Sequence, residues 1–425
     1  MVGVRSDSPH VNGFQAMPAL VAVSVLASIY TAGCLHGAPT RAHVVAMLPV
    51  AMAWGLLVSW LCPRLPAMST GIVLATAMAV RAPLVGTPPL LSDDLWRYLF
   101  EGSAMLSGNN PFVSSPSELS HLAPEWADKV NHPELTSIYP PAALLWFQVL
   151  AYLGSSTAAQ GATALADSAT AALLAHSSNR RGIGSWPGIA WALHPLPVIE
   201  SASNAHLEPL ACLALVLALS QSERMQGAWL ALAAGVKLLP LLLFPTWLRS
   251  QPSRNNWQGA MAVLALLVAV SLPVLGAGPG LFDSLGTYAS HWSFNSLGMT
   301  VLQPIAGTYT RPMLLAIGAL GTMAVVAWRR DLPTVALGVG TLFLCTSPTA
   351  HPWYALWVLA PSLWLGHRAW LYGATGLLAS YAVLFTWDPV SGGWTEPWWL
   401  WIISWGWILV AWPWEALSGR AARAD

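Results

Sequence analysis

Two adjacent aspartates, Asp93 and Asp94, open the stretch SDDLWRYLFEG, with Arg97, Tyr98 and Glu101 behind them. In a chain whose charged residues make up 8% of the total, that concentration asks for a chemical reason. A carboxylate held beside a hydroxyl can take its proton as the oxygen attacks, the work of a general base. A nearby cation or hydrogen-bond donor can hold an anion that leaves. On a helix, Asp94, Arg97, Tyr98 and Glu101 stand at i, i+3, i+4 and i+7 and share one face. The plainer account is ordinary helix chemistry: acids favour a helix N-terminus, and Asp93–Arg97 and Arg97–Glu101 are i,i+4 pairs on a wet face.

Further polar groups recur in short motifs along the chain. VNHPELTSIYPP at 130–141 carries His132 and Tyr139, and IESASNAHLE at 199–208 carries Asn204, His206 and Glu208 behind Glu200. SHWSFN holds His291, TAHPWY holds His351, and Lys237 stands in the apolar run QGAWLALAAGVKLLPLLLFP. For a departing phosphate the candidates are Arg97, Lys237, His206, His291 and His351. A divalent cation stays open if Asp93 and Asp94 both point inward, although two acids without a third fixed ligand make a poor metal signature. Asn204 is equally a helix cap, His132 a turn residue before proline, and His351 an interface residue. Lys237 is costly inside hydrocarbon, at least about 2.5 kcal/mol at a helix centre, which marks it as functional unless it snorkels to the headgroups.

These residues must be positioned by membrane helices. The chain has 425 residues, 55% hydrophobic, with 25 Trp and equal numbers of basic and acidic side chains, 18 each. Apolar windows long enough to span follow one another at 16–35, 43–62, 69–88, 157–176, 185–202, 205–221, 256–275, 311–328, 333–349, 353–366, 369–386 and 397–414. The fold class expected is therefore all-α: one polytopic membrane domain over 1–425 with about 11–13 crossings. The opening residues lack a cleavage site of signal-peptide type, so 16–35 reads as a retained span. Residues 139–154 are too short to cross and begin with two prolines, which fits a surface or half-inserted helix. Cys34, Cys62, Cys212 and Cys345 are scattered without metal-type spacing and read as core residues. A neutral chain has no basic face for nucleic acid.

Sidedness follows from arginine placement. With the N-terminus inside and 226–248 as a re-entrant hairpin, Arg5, Arg64, Arg180, Arg181, Arg224, Arg249, Arg254, Arg329, Arg330, Arg368, Arg420 and Arg423 face the cytoplasm. Arg41, Arg97, Lys129 and Arg311 then lie outside, the bias expected of a plasma membrane protein. The same threading brings every polar motif above, and FTWDP at 385–389, to the outer face. The loop 91–140 is the largest outer segment, rich in acids. Arg81 and Asp167 fall inside spans and are expected to pair with each other.

As an ordered set, SDDLWRYLFEG, GNNPF, VNHPELTSIYPP, PLPVIESASNAHLEPL, AAGVKLLPLLLFP, HWSFN and SPTAHPWYALW resemble the blocks of bacterial GT-C glycosyltransferases. The likeness is closest to the polyprenol-phosphate-mannose-dependent group, similar to glycosyltransferase family 87, and runs from about residue 70 to about 366. The resemblance implies an outer-face active site and an inverting transfer of a hexose, mannose by the family's leaning. The donor would be a polyprenyl-phosphate sugar and the acceptor a hydroxyl on a lipid or glycan. The family's catalytic aspartate falls on Asp94, with Asp93 as a neighbour that can share the role. Where relatives often carry Trp-Asp, this chain reads Phe100-Glu101, which keeps the charge and changes its reach.

Two other classes would also use many spans. A secondary transporter would show matching halves with broken helices and polar groups near the midplane, and no internal repeat is evident here. A non-catalytic lipid-handling protein would have little use for an acidic, aromatic helix at the headgroup boundary.

Overall fold

The computed structural model describes residues 13–38, 40–221, 223–250, scattered positions between 258 and 268, 283–388 and 393–421. The span expected at 256–275 falls mostly outside them. Among the described residues every regular element is helical, and extended backbone pairs only at a bridge between Phe294 and Thr349. The expected all-α class is what the chain adopts.

Three helical runs, Ala16–Gly37, Val45–Arg64 and Leu297–Trp328, are long and apolar enough to cross a bilayer. The last extends well upstream of the stretch expected at 311–328. Its outward side chains include Val301, Ile305, Leu315 and Leu320, all exposed, as a lipid-facing helix requires. Several other apolar helices are shorter, and proline divides one of the expected spans. The span expected at 185–202 is two helices, Trp186–Leu193 and Pro195–Ala202. Proline lacks an N–H and drives the preceding residue out of the helical region. His194 accordingly adopts ψ 131° and its Nδ1 accepts from the Leu196 N–H at 3.2 Å.

Arg81 and Asp167 pair as expected. Asp167, on the long helix Ser156–Arg180, accepts from Arg81 Nε at 2.9 Å, Trp191 Nε1 at 2.8 Å and Ser201 Oγ at 3.2 Å. Arg81 Nη1 also donates to the carbonyls of Ala77 and Ala192. Both charges are buried, and this dense bonding offsets the cost of removing them from water. The pair ties helices together and takes no part in the site.

The helix bearing the aspartates runs Asp94–Leu106, straight through Gly102, and ends before Gly108, which takes φ +82°. Gly102 is needed for packing rather than termination. A Cβ there would stand 2.1 Å from the Phe147 carbonyl oxygen, so only glycine lets this helix lie against Pro141–Tyr152. That short helix is the expected 139–154 element. Residues 223–250 form a helix Glu223–Val236, a break at Lys237, a 3-10 turn Leu239–Leu243 and a helix Phe244–Ser250.

Candidate active site

Asp94 sits in the first turn of its helix with its side chain 22% exposed. The Ser92 hydroxyl, not an aspartate, accepts its backbone N–H, at 3.3 Å. Tyr98 OH donates to Asp94 Oδ2 at 3.3 Å, one turn on.

His206 reaches the same carboxylate from a distant part of the chain. The helix Pro195–Ala202 ends in a tight turn where Ala205 takes φ +52°, a left-handed conformation that a residue with a Cβ rarely adopts. The turn swings the His206 ring until Nε2 lies 3.8 Å from Asp94 Oδ2. On the ring's other side Nδ1 is 3.0 Å from Glu200 Oε2. Glu200 also accepts from Asn204 Nδ2 at 2.8 Å and from Tyr381 OH at 2.7 Å. Facing a carboxylate acceptor, Nδ1 carries the ring proton, and Nε2, fully buried with no hydrogen-bond partner, is turned towards Asp94. Gln160 clamps the two approaching loops: its amide donates to the carbonyls of Thr87 at 2.8 Å and Ser203 at 2.6 Å.

Asp93 and Asp94 border a cavity of about 790 Å³ that Tyr139, Glu208, Lys237 and His351 also line. Lys237 stands at the break after Val236 and pairs with Glu208 at 3.0 Å, its side chain 22% exposed. Its ammonium therefore goes to the cavity wall, and snorkelling is not its role here. Nζ stands 5.4 Å from the centre of the Tyr139 ring and 6.0 Å from that of Tyr354, which favours a cation. Glu208 Oε2 is buried without a hydrogen-bond partner. Tyr288 OH joins Tyr354 OH and Thr349 Oγ1, each at 3.1 Å. His351 stacks between Phe294 and Trp353, and Trp353 packs on His206 at 4.0 Å between ring centres. Apolar side chains, among them Leu238, Leu241 and Leu242, continue the same wall.

The remaining sequence-selected residues divide differently. Arg97 and Glu101 pair at 3.1 Å, yet both side chains are buried, so the wet-face account does not hold. Arg97 also donates to the carbonyls of Asn131 at 2.6 Å, His132 at 2.8 Å and Leu135 at 3.1 Å. Glu101 accepts from Ser137 Oγ at 2.7 Å. Their hydrogen bonds go to the returning half of the loop and hold it in place over the cavity. Burial pushes the Glu101 carboxyl above its usual range, against the opposing pull of Arg97 and Ser137. Tyr98, Asn204 and His206 stand behind the cavity wall as supports. His132, at φ +47°, borders the cavity and packs edge-on against Trp292 at 4.8 Å. His291 is exposed and bonds its own helix at the Thr287 carbonyl; it lines an adjoining outer pocket rather than the cavity at Asp94.

The non-glycine residues with positive φ among those described are His132, Ala205 and Asn295, one in each of three motifs. Such conformations cost of order 1–3 kcal/mol each and persist where surrounding structure fixes them. Among the described residues no group of three or more His, Cys, Asp or Glu side chains converges as metal ligands do. Sequence reasoning did not select Glu200, Gln160, Tyr288, Tyr354 or Tyr381. Glu200 and Tyr354 lie within motifs already singled out; the others carry no local signal.

A family model for alpha-(1->6)-mannopyranosyltransferase, N-terminal domain, matches residues 11–251. The chain belongs to this family. The matched region contains Asp94, Glu200, His206, Glu208 and Lys237, whereas Tyr288, His351 and Tyr354 come from beyond it. Alpha-(1->6)-mannopyranosyltransferase B of Corynebacterium glutamicum is 24% identical over 415 residues, 79% of this chain and 65% of the relative. Alpha-(1->6)-mannopyranosyltransferase A of Mycobacterium tuberculosis is 26% identical over 371 residues, 74% of this chain and 68% of the relative. The chain thus spans about two thirds of the length of these curated relatives. No solved structure matches it. With its long apolar helices, the chain is a membrane protein of the mannosyltransferase family, in line with the resemblance read from its motifs.

Proposed function

We propose that this protein is a mannosyltransferase that moves mannose from a polyprenyl-phosphate sugar to an acceptor hydroxyl on the extracytoplasmic face of the plasma membrane. The observation that carries this reading is the pairing of a carboxylate and a cation on one cavity: Asp94 at its rim, Lys237 on its wall. Asp94 takes the proton of the acceptor hydroxyl as that oxygen attacks the anomeric carbon. The new C1–O bond forms as the bond from C1 to the phosphate oxygen breaks, and the electron pair leaves with polyprenyl phosphate. Lys237 faces the charge that develops there. Such an in-line displacement inverts the anomeric centre, so a β-linked donor yields an α product, the linkage named for the relatives.

The apolar wall formed by Leu238, Leu241 and Leu242 suits the prenyl chain of the donor. His206, its ring held by Glu200, sets its unprotonated Nε2 beside Asp94 and gives the proton that Asp94 takes up a neighbouring acceptor. Asp93 lies beside Asp94 at the rim, where it can share the role of base. In this reading residues 226–248 are a re-entrant hairpin that turns at Lys237, within a single membrane domain whose outer loop, 91–140, carries the base.

The test uses purified full-length protein incubated with a panel of polyprenyl-phosphate sugars and a manno-oligosaccharide acceptor. Release of polyprenyl phosphate with extension of the acceptor is expected, strongest for the mannose donor. Asp94→Asn should abolish it while the protein stays folded and inserted. An Asp94→Asn protein as active as the parent would overturn the reading.

A further inference from the structure

A second concavity of about 760 Å³ lies next to the first, lined by Trp96, Asp128, Lys129, His291, Trp292 and Trp387, among others. Asp93, Asn131, His132, Trp292, Trp387 and Trp394 border both spaces, so the two are contiguous. Its lining differs from that of the cavity at Asp94. It has none of the leucines, and Trp96, Asp128 and Lys129 line it without lining the inner cavity; Asp128 and Lys129 both face solvent. Trp387 and Trp394 stack at 5.8 Å between ring centres with 21° between planes. Trp96 stacks on Trp126 at 5.7 Å and 17°, with Lys129 Nζ 4.5 Å from the Trp96 ring centre. These rings are braced by neighbours and held in fixed planes.

That combination has one natural ligand class. A hexose presents an apolar face of C–H groups, which packs on an aromatic ring, and a rim of hydroxyls that bond to carboxylates and amides. A prenyl chain would cover the charges of Asp128 and Lys129 with hydrocarbon, a cost that a neutral sugar does not incur. A volume within the range of about 300–1,000 Å³ typical of small-molecule sites admits more than a single ring. Ring contacts also run from this pocket to the base. Trp394 meets Phe294 at 6.0 Å, Phe294 meets His351 at 4.8 Å, His351 meets Trp353 at 4.4 Å and Trp353 meets His206 at 4.0 Å.

Resting on the mannosyltransferase reading, we infer that this outer aromatic pocket binds the neutral sugar units of the acceptor adjoining its reacting hydroxyl, while the inner cavity holds the donor. Acceptor and donor are separated by what each space has alone: Trp96, Asp128 and Lys129 outside, the leucines and Lys237 inside.

The test is binding of a linear manno-oligosaccharide to the full-length protein in nanodiscs, followed by saturation-transfer NMR without donor. Trp96 and Asp128 line the outer pocket alone. Trp96→Ala is expected to weaken binding about tenfold and Trp96→Phe less than threefold, because the phenyl ring keeps a platform. Asp128→Ala, at an exposed position, is expected to weaken it about threefold. Asp94→Asn, which disables the base, should bind the oligosaccharide like the parent. In turnover, Trp96→Ala should raise the acceptor KM about tenfold and the donor KM far less. Equal affinity in Trp96→Ala, Asp128→Ala and the parent overturns the inference, as does a parent protein that does not bind the oligosaccharide. A parent that binds it but transfers no sugar from any donor refutes the transferase reading and leaves the carbohydrate pocket standing.

Discussion

His206 Nε2 lies 3.8 Å from Asp94 Oδ2, while the opposite ring nitrogen is 3.0 Å from Glu200 Oε2. The imidazole thus lies between a carboxylate at the cavity rim and a carboxylate in the core, is hydrogen-bonded only to the second, and leaves the first free to meet a substrate. The arrangement gives a proton received by Asp94 an onward acceptor whose ring is itself fixed by Glu200.

His206→Gln is expected to lower kcat about tenfold to a hundredfold, the lower part of the range for positioned acid–base groups. Glu200→Gln should do so more mildly, since Tyr381 and Asn204 still hold that position. Because neither residue lines the cavity, the donor KM should stay within about twofold of the parent. Steady-state kinetics with the mannose donor checks the split; a large rise in KM with kcat intact contradicts it.

Lys237→Met keeps the length of the side chain and removes its charge. Loss of one donor to a developing anion typically costs about a hundredfold to a thousandfold in kcat, and that range is expected here. Lys237→Arg should recover part of the activity. Glu208→Gln, which leaves the cation without its counter-charge, should weaken the protein more than it slows the step. Activity assays and thermal melts of the four proteins separate these effects.

Glu101 offers a pH test in the outer loop. Burial raises its pKa in the folded protein, so the fold favours the protonated form. Its contribution is present below the unfolded value, about 4.3, and declines as pH rises through the folded value. The difference in melting temperature between the parent and Glu101→Gln should therefore shift against the parent as pH climbs from about 4. A difference independent of pH between 4 and 7 contradicts the assignment.

Breaking the Arg81–Asp167 pair should be the most damaging single change away from the cavity. Arg81→Leu strands a buried carboxylate and is expected to cost about 3–5 kcal/mol. The double variant Arg81→Leu with Asp167→Leu should recover much of that loss. Unfolding in detergent, monitored by tryptophan fluorescence, gives both numbers.

The membrane class, the helical content and the importance of the 93–101 helix follow from composition and local spacing. Apolar windows and a dense acidic patch are properties of neighbouring residues, so they are legible in one dimension. The Arg81–Asp167 pair was legible for a related reason: two opposite charges inside apolar runs have few partners but each other. Local pattern also placed Arg97 and Glu101 on one face, but could not say that the face is covered. That depends on Ser137 and three carbonyls of the returning loop, about three dozen residues away.

Proline breaks were present in the sequence, yet hydropathy averages over them, which is why 185–202 reads as one span and folds as two helices. Glu200, Tyr381 and Gln160 acquire meaning only through contacts across the chain, such as Tyr381 to Glu200, 181 positions apart. Sequence therefore determined which residue types could perform the chemistry and that helices in a membrane carry them. Tertiary packing decided which of those residues meet the cavity and which merely hold it open, because burial and hydrogen-bond geometry are set by elements that touch in space and not along the chain.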